Sequence, residues 1–202
     1  SDAVLHELIE AADIVMVARG DLGVEIGDAQ LMGIQKKIIR IAQRLNRPVI
    51  TATQMMESMI HSPVPTRAEV FDVANAVLDG TDCVMLSGES ANGQYPIQAV
   101  TIMAKTCTEA EATLNYHRTY MDLKHLTPLP IQTAEAVAAA ACSAVLDLHI
   151  SLIIVLTDSG KLARLVAKYR PEVKILACSI NGAVVRQMNV TRGCLGFKIP
   201  TF

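Results

Sequence analysis

Short unbroken apolar runs alternate along this chain with longer stretches whose apolar residues recur every three or four positions. The runs at 14–18, 49–52 and 83–86 have the length and β-branched content of strands covered on both faces. Helical spacing marks the segments between them: Val4, Leu5, Leu8, Ile9 and Ala12; Leu31, Ile34, Ile38, Ala42 and Leu45; Val70, Val73, Ala74, Val77 and Leu78. Local signals set their ends. Ser1 or Asp2 offers a cap to the first helix. Thr66 with Glu69 three residues on forms a capping-box signature, Gly80 closes that helix, and Pro96 opens the next. Repeated strand–helix units of this kind predict a parallel α/β architecture.

The rhythm breaks at about residue 115, where Tyr116, His117, Tyr120, His125 and Pro128 crowd together. It resumes with an alanine-rich helix from Thr133. Strands are then predicted at 152–156, 173–178 and 194–199, with helices at 161–169 and 183–188 between them. The expected organisation is therefore a first domain over 1–115, a connector over 116–132 and a smaller α/β domain over 133–202.

Composition narrows the function. The chain is 51% hydrophobic but only 3% aromatic, so its core must be aliphatic and methionine-based. A net charge of −2 with no basic run gives no electrostatic footprint for nucleic acid. No apolar window reaches the length of a membrane span. Five cysteines, an odd number without metal-type spacing, read as reduced thiols in a cytoplasmic protein. The chain opens directly into a helix, as expected of a piece of something longer.

The chemistry collects where the strands end. Arg19-Gly20-Asp21 follows the first run, Thr53 the second, and Ser87-Gly88-Glu89 the third. Gly20 lets backbone amides approach an anion, Asp21 can hold a hard cation, and Arg19 can balance charge. The same residues also fit a polar turn with a surface ion pair. Periodicity does not separate an open sheet from part of a closed barrel, but a barrel converges its strand ends on one site. Thr157, Ser159 and Gly160 precede a helix and could cradle a phosphate, or simply cap it.

The strings VARGDLGVEI, TATQMMESM, PTRAEVFDVANAVLDGTDCVMLSGESANGQYP and LTDSGKLARLVAKYRP together closely resemble the pyruvate kinase family, in order and over essentially the whole chain. The resemblance implies a partial (β/α)8 TIM barrel, its last three strand–helix units, followed by part of a C-terminal α/β regulatory domain. It implies transfer of the phosphoryl group of phosphoenolpyruvate to ADP, with Mg2+ or Mn2+ and K+, in a cytoplasmic homotetramer. Matching positions make Asp21 the metal ligand and the Gly20 and Asp21 amides the holders of the substrate carboxylate. They set the Thr53 hydroxyl beside the substrate and put Ser87 and Glu89 on the proton path. Thr157, Ser159 and Gly160 match an effector loop, although Leu162 stands where a hydroxyl is expected. Arg67, Glu69 and Asp72 match a helix near a subunit interface. The family's Lys-x-Glu motif, carrying the catalytic lysine and a second metal ligand, does not precede Asp21 here. The K+ site falls mostly outside the chain. The chain alone is therefore expected to show no turnover. The alternative is a catalytically silent fragment or degenerate paralogue with a role in assembly.

Overall fold

The computed structural model describes residues 2–201, which divide into two compact units, one ending at Leu114 and the other beginning at Asn115. In the first, α1 (Asp2–Ala11) leads to β1 (Val15–Ala18), α2 (Arg19–Ile26) and α3 (Asp28–Arg44). There follow β2 (Val49–Ala52), a 3-10 turn (Glu57–Ile60), α4 (Arg67–Asp79), β3 (Cys83–Met85), α5 (Gly88–Ala91) and α6 (Pro96–Ala112). Ser1, the other candidate cap of α1, lies outside the described residues. The strands form one parallel sheet in the order β1-β2-β3, with Val17 opposite Thr51 and Thr51 opposite Val84. This is an open three-stranded sheet, as expected of part of a barrel.

Local chemistry explains the helix ends. The Thr66 side chain accepts from the Glu69 amide at 3.3 Å while Glu69 accepts from the Thr66 amide at 2.7 Å. This reciprocal cap satisfies two amides that a helix start leaves bare. Gly80 ends α4 at φ 100°, a left-handed conformation that a side chain would resist. Two apolar clusters hold the unit together. Ile9, Val17, Ile38, Ile39, Ala42 and Val49 pack α1 and α3 on the sheet. Met55, Met56 and Met59 fill the space against Val73, Ala76, Ala99 and Met103, where flexible thioethers replace the missing aromatics.

In the second unit α7 (Tyr116–Leu126) and α8 (Thr133–Leu148) precede β4 (Leu152–Leu156), α9 (Lys161–Lys168) and β5 (Lys174–Ser179). Then come α10 (Gly182–Gln187), a 3-10 turn (Met188–Val190) and β6 (Cys194–Lys198). The sheet is again parallel, in the order β4-β5-β6. A Cβ on Gly196 would come within 2.0 Å of the Val185 carbonyl, so glycine lets β6 lie against α10. Helix α7 is a finding: where the sequence shows only a change of texture, Asn115 caps it by accepting from the Arg118 amide at 2.9 Å. Tyr120 of α7 sets its ring 5.9 Å from that of Tyr169 and donates to the Ala139 carbonyl at 3.0 Å. Lys168, almost wholly buried, pairs with Glu135, which also accepts from the Tyr169 hydroxyl at 3.2 Å.

One expectation changes. The unbroken apolar runs predict strands covered on both faces. The central strands hold to this, with no exposed residue from Val49 to Ala52 of β2 or from Ile175 to Ser179 of β5. On the edge strands, however, Met16 of β1 is 52% exposed and Ile154 of β4 is 62% exposed. In each unit the apolar clusters join the helices to one face of the sheet. All five cysteines are free thiols. Burial pushes that of Cys142 up to about 12, which keeps it protonated and unreactive.

Candidate functional site

The carboxyl ends of β1, β2 and β3 are tied to one another by two side chains. The first is Arg19, which follows β1 directly and is only 5% exposed, so it is no surface ion pair. Its Nε and Nη2 donate to the Thr53 carbonyl at 3.1 and 2.8 Å, and Nη2 also donates to the Gln54 carbonyl at 3.0 Å. Its Nη1 donates to Asp72 of α4, with Oδ2 at 2.7 Å. One planar fork thus spans the ends of β1 and β2 and a helix behind them, a task for which guanidinium geometry is suited.

Those carbonyls belong to unusual backbone. Thr53 has φ 69° and Gln54 φ 51°. A β-branched residue at positive φ is a genuine outlier, costing about 1–3 kcal/mol. Hydrogen bonds from a charged donor return about 1.5–3 kcal/mol each, enough to hold it. The conformation aims the Thr53 hydroxyl at β1's end: Oγ1 accepts from the Gly20 amide at 2.7 Å and donates to the Ala52 carbonyl at 2.7 Å. Gly20 lies in the first turn of α2, and a Cβ there would make ordinary contact with Thr53 Oγ1 at 3.6 Å. Its amide, rather than special torsional freedom, is what the site uses. The Asp21 carboxylate, one residue on, is exposed and makes no hydrogen bond or ion pair among the described residues.

The second tie is Glu89, 2% exposed. Its Oε1 accepts from the Met56 amide at 3.0 Å and its Oε2 from the Ser87 amide at 2.7 Å, joining the segment after β2 to that after β3. Both oxygens are therefore engaged by backbone, and Glu89 faces amides rather than an opening. The Ser87 hydroxyl beside it is buried and has no hydrogen-bond partner among the described residues. Buried hydroxyls are nearly always paired, so Ser87 is the group of this strand end with capacity left for a ligand or a proton.

The other predicted residues are placed as follows. Asp72 serves Arg19. Glu69 accepts from the Ser58 amide at 2.7 Å and its hydroxyl at 2.6 Å as well as from Thr66, and these bonds outweigh the opposing effect of its burial to hold its carboxyl below the usual range. Arg67 is exposed and, among the described residues, makes no such contact. In the second unit, Thr157 is buried and its Oγ1 accepts from the Gly160 amide at 3.0 Å, while Ser159 is exposed. Ser159 Oγ accepts from the Lys161 amide at 3.4 Å, so the loop spends both hydroxyls on its own backbone and the start of α9. The pairing of Arg19 with Asp72 is what sequence reading missed: it gave Arg19 a charge-balancing part and put Asp72 on an interface helix. An arginine set directly against a buried strand was the available signal, but nothing local names a partner 53 positions away.

Parallel strands with polar chemistry at their carboxyl ends define a parallel α/β protein, a class in which function sits at that end. Comparison with known proteins agrees. Residues 2–100 match the family described as pyruvate kinase, barrel domain, and residues 135–201 the one described as pyruvate kinase, alpha/beta domain. The chain is 51% identical to pyruvate kinase from Eimeria tenella over 97% of its own length and 37% of that protein's. It is 50% identical to the pyruvate kinase of Agaricus bisporus over 96% of its length and 36% of that protein's. The crystal structure of a pyruvate kinase from Cryptosporidium parvum superimposes with a TM-score of 0.94 at 44% identity, over 96% of this chain and 39% of that one. The chain belongs to the pyruvate kinase family. It spans a little over a third of the relatives it matches.

Proposed function

We propose that this chain supplies three strand ends of a pyruvate kinase active site, and that the protein containing it transfers the phosphoryl group of phosphoenolpyruvate to ADP. The observation that carries this reading is the 2.7 Å contact between the Gly20 amide and the Thr53 hydroxyl, which joins two strand ends in one polar spot. The amides of Gly20 and Asp21 point from the first turn of α2, where the helix dipole favours an anion. A substrate carboxylate would replace Thr53 Oγ1 as acceptor of the Gly20 amide, leaving that hydroxyl beside the substrate. Ser87 has the free hydroxyl needed to hold or pass a proton. Glu89, with both oxygens on backbone amides, acts by fixing Ser87 and the segment at Met56.

The family's divalent cation calls for several oxygen ligands. Asp21 is the one carboxylate offered here, and the described residues contain no group of three His, Cys, Asp or Glu that could hold a metal. On this reading the remaining ligands come from elsewhere in the protein. The family resemblance sets most of the K+ site outside the chain as well, and we expect turnover only from the complete protein. Arg67, exposed on α4, is the interface candidate left available to a second copy in a homotetramer. No helix of the described residues is long and apolar enough to cross a membrane.

Pyruvate formation by the complete gene product, coupled to lactate dehydrogenase, tests the proposal. ADP-dependent pyruvate is expected, and Thr53→Ala should lower kcat/KM by about 10²-fold, the usual effect of removing one polar group that meets developing charge. A folded wild-type protein that forms no pyruvate with ADP would overturn the reading.

A further inference from the structure

Arg19 is buried, carries a charge and uses its whole fork on two backbone carbonyls and one carboxylate. Burying such a group is costly and is offset only when well-aligned bonds satisfy its donors. What they do is visible in the backbone. Both carbonyls belong to left-handed residues, and one of these is a β-branched threonine. Without the fork, Thr53 would relax toward extended backbone and carry its hydroxyl away from Gly20.

We propose that Arg19 and Asp72 form a positioning pair, which sets Thr53 in its strained conformation and thereby aligns its hydroxyl with the Gly20 amide. This rests on the reading of Thr53 as a substrate-facing group. Asp72 contributes indirectly: its carboxylate orients Nη1 so that Nε and Nη2 face the carbonyls. Neither side chain touches substrate. The pair also links the front of the site to α4, so any movement of that helix would be felt at Thr53.

Arg19→Lys keeps the charge and removes the fork. In the complete protein it should raise the KM for phosphoenolpyruvate about tenfold, roughly the worth of one misplaced hydrogen bond, and leave the KM for ADP unchanged. A general loss of folded protein would lower kcat and move neither KM. In a Thr53→Ala background, Arg19→Lys should have no further effect on the KM for phosphoenolpyruvate. Asp72→Asn should act in the same direction with a smaller effect, and it serves if Arg19→Lys does not fold. A second readout does not need turnover: hydrogen exchange of the Gly20 amide should accelerate about tenfold in either variant while the Val17 and Ala52 amides keep their protection. Unchanged exchange at Gly20 would overturn the positioning pair even where the enzyme is active. Accelerated exchange in a protein without pyruvate formation would uphold the pair and remove the functional reading.

Discussion

Replacing Glu135 with alanine is expected to destabilise the second unit by about 3–5 kcal/mol, because it strips a buried ammonium of its carboxylate. The Lys168 side chain is 4% exposed and cannot reach water without disturbing α9, whereas Glu135 keeps 16%. The same carboxylate is the acceptor of the Tyr169 hydroxyl. The asymmetry yields a sharper expectation: Lys168→Met should cost clearly less than Glu135→Ala, since the carboxylate left behind still meets solvent. Urea unfolding followed by tyrosine fluorescence is the measurement. Three of the four tyrosines, Tyr116, Tyr120 and Tyr169, lie in the second unit and report on it. Losses of equal size in the two variants would show that burial of the ammonium is not what makes the pair costly to break.

Tyr169 adds a pH dependence. Burial foremost, and the neighbouring Glu135 carboxylate as well, push its hydroxyl up to about 12. The unfolded chain loses this proton near pH 10 and the folded one only near the higher value, so the unfolded state binds fewer protons in between. Stability is therefore full below about pH 10 and falls as pH rises toward 12. Tyr169→Phe should flatten that decline.

The second large effect is expected at Glu89. Alanine there removes the acceptor from the Met56 and Ser87 amides and leaves a hole in the packing, for a loss of about 3–5 kcal/mol in the first unit. Glu89→Gln keeps one carbonyl acceptor but turns its amide nitrogen toward a backbone donor, and about 1–3 kcal/mol should go. Activity should fall in parallel, since the ends of β2 and β3 are no longer tied. Chemical unfolding and activity of the same preparations test this. A Glu89→Gln protein as stable as the wild type but inactive would return Glu89 to the proton path and contradict its role as a tie.

How much of this was legible in the sequence depends on distance along the chain. The cap at Thr66 and Glu69, the stop at Gly80 and the start at Pro96 are local and were readable, because each satisfies or spares backbone groups within a turn. The parallel strands were readable from unbroken apolar runs. Helix α7 was not, because its polar face and its tyrosines imitate a loop until α8 supplies the surface it buries against. Arg19 is the clearest case. Its position after a strand marked it as chemical, but whether it met solvent, substrate or protein was decided by Asp72 and by two carbonyls brought near only by the fold. Glu89 follows the same logic: the motif located it, and the Met56 amide decided what it does. The family resemblance supplied roles, whereas the structure shows that Arg19 and Glu89 spend their polar atoms on the protein itself and that the Ser87 hydroxyl does not.

The central claim is that the ends of β1 and β2 make one site for a small carboxylate. Calorimetric titration of phosphoenolpyruvate into the complete protein with Mn2+ present tests it most directly. The account predicts saturable binding, weakened about tenfold by Thr53→Ala and lost in Asp21→Ala. Binding to Thr53→Ala as tight as to the wild type would take β2 out of the site and contradict the account.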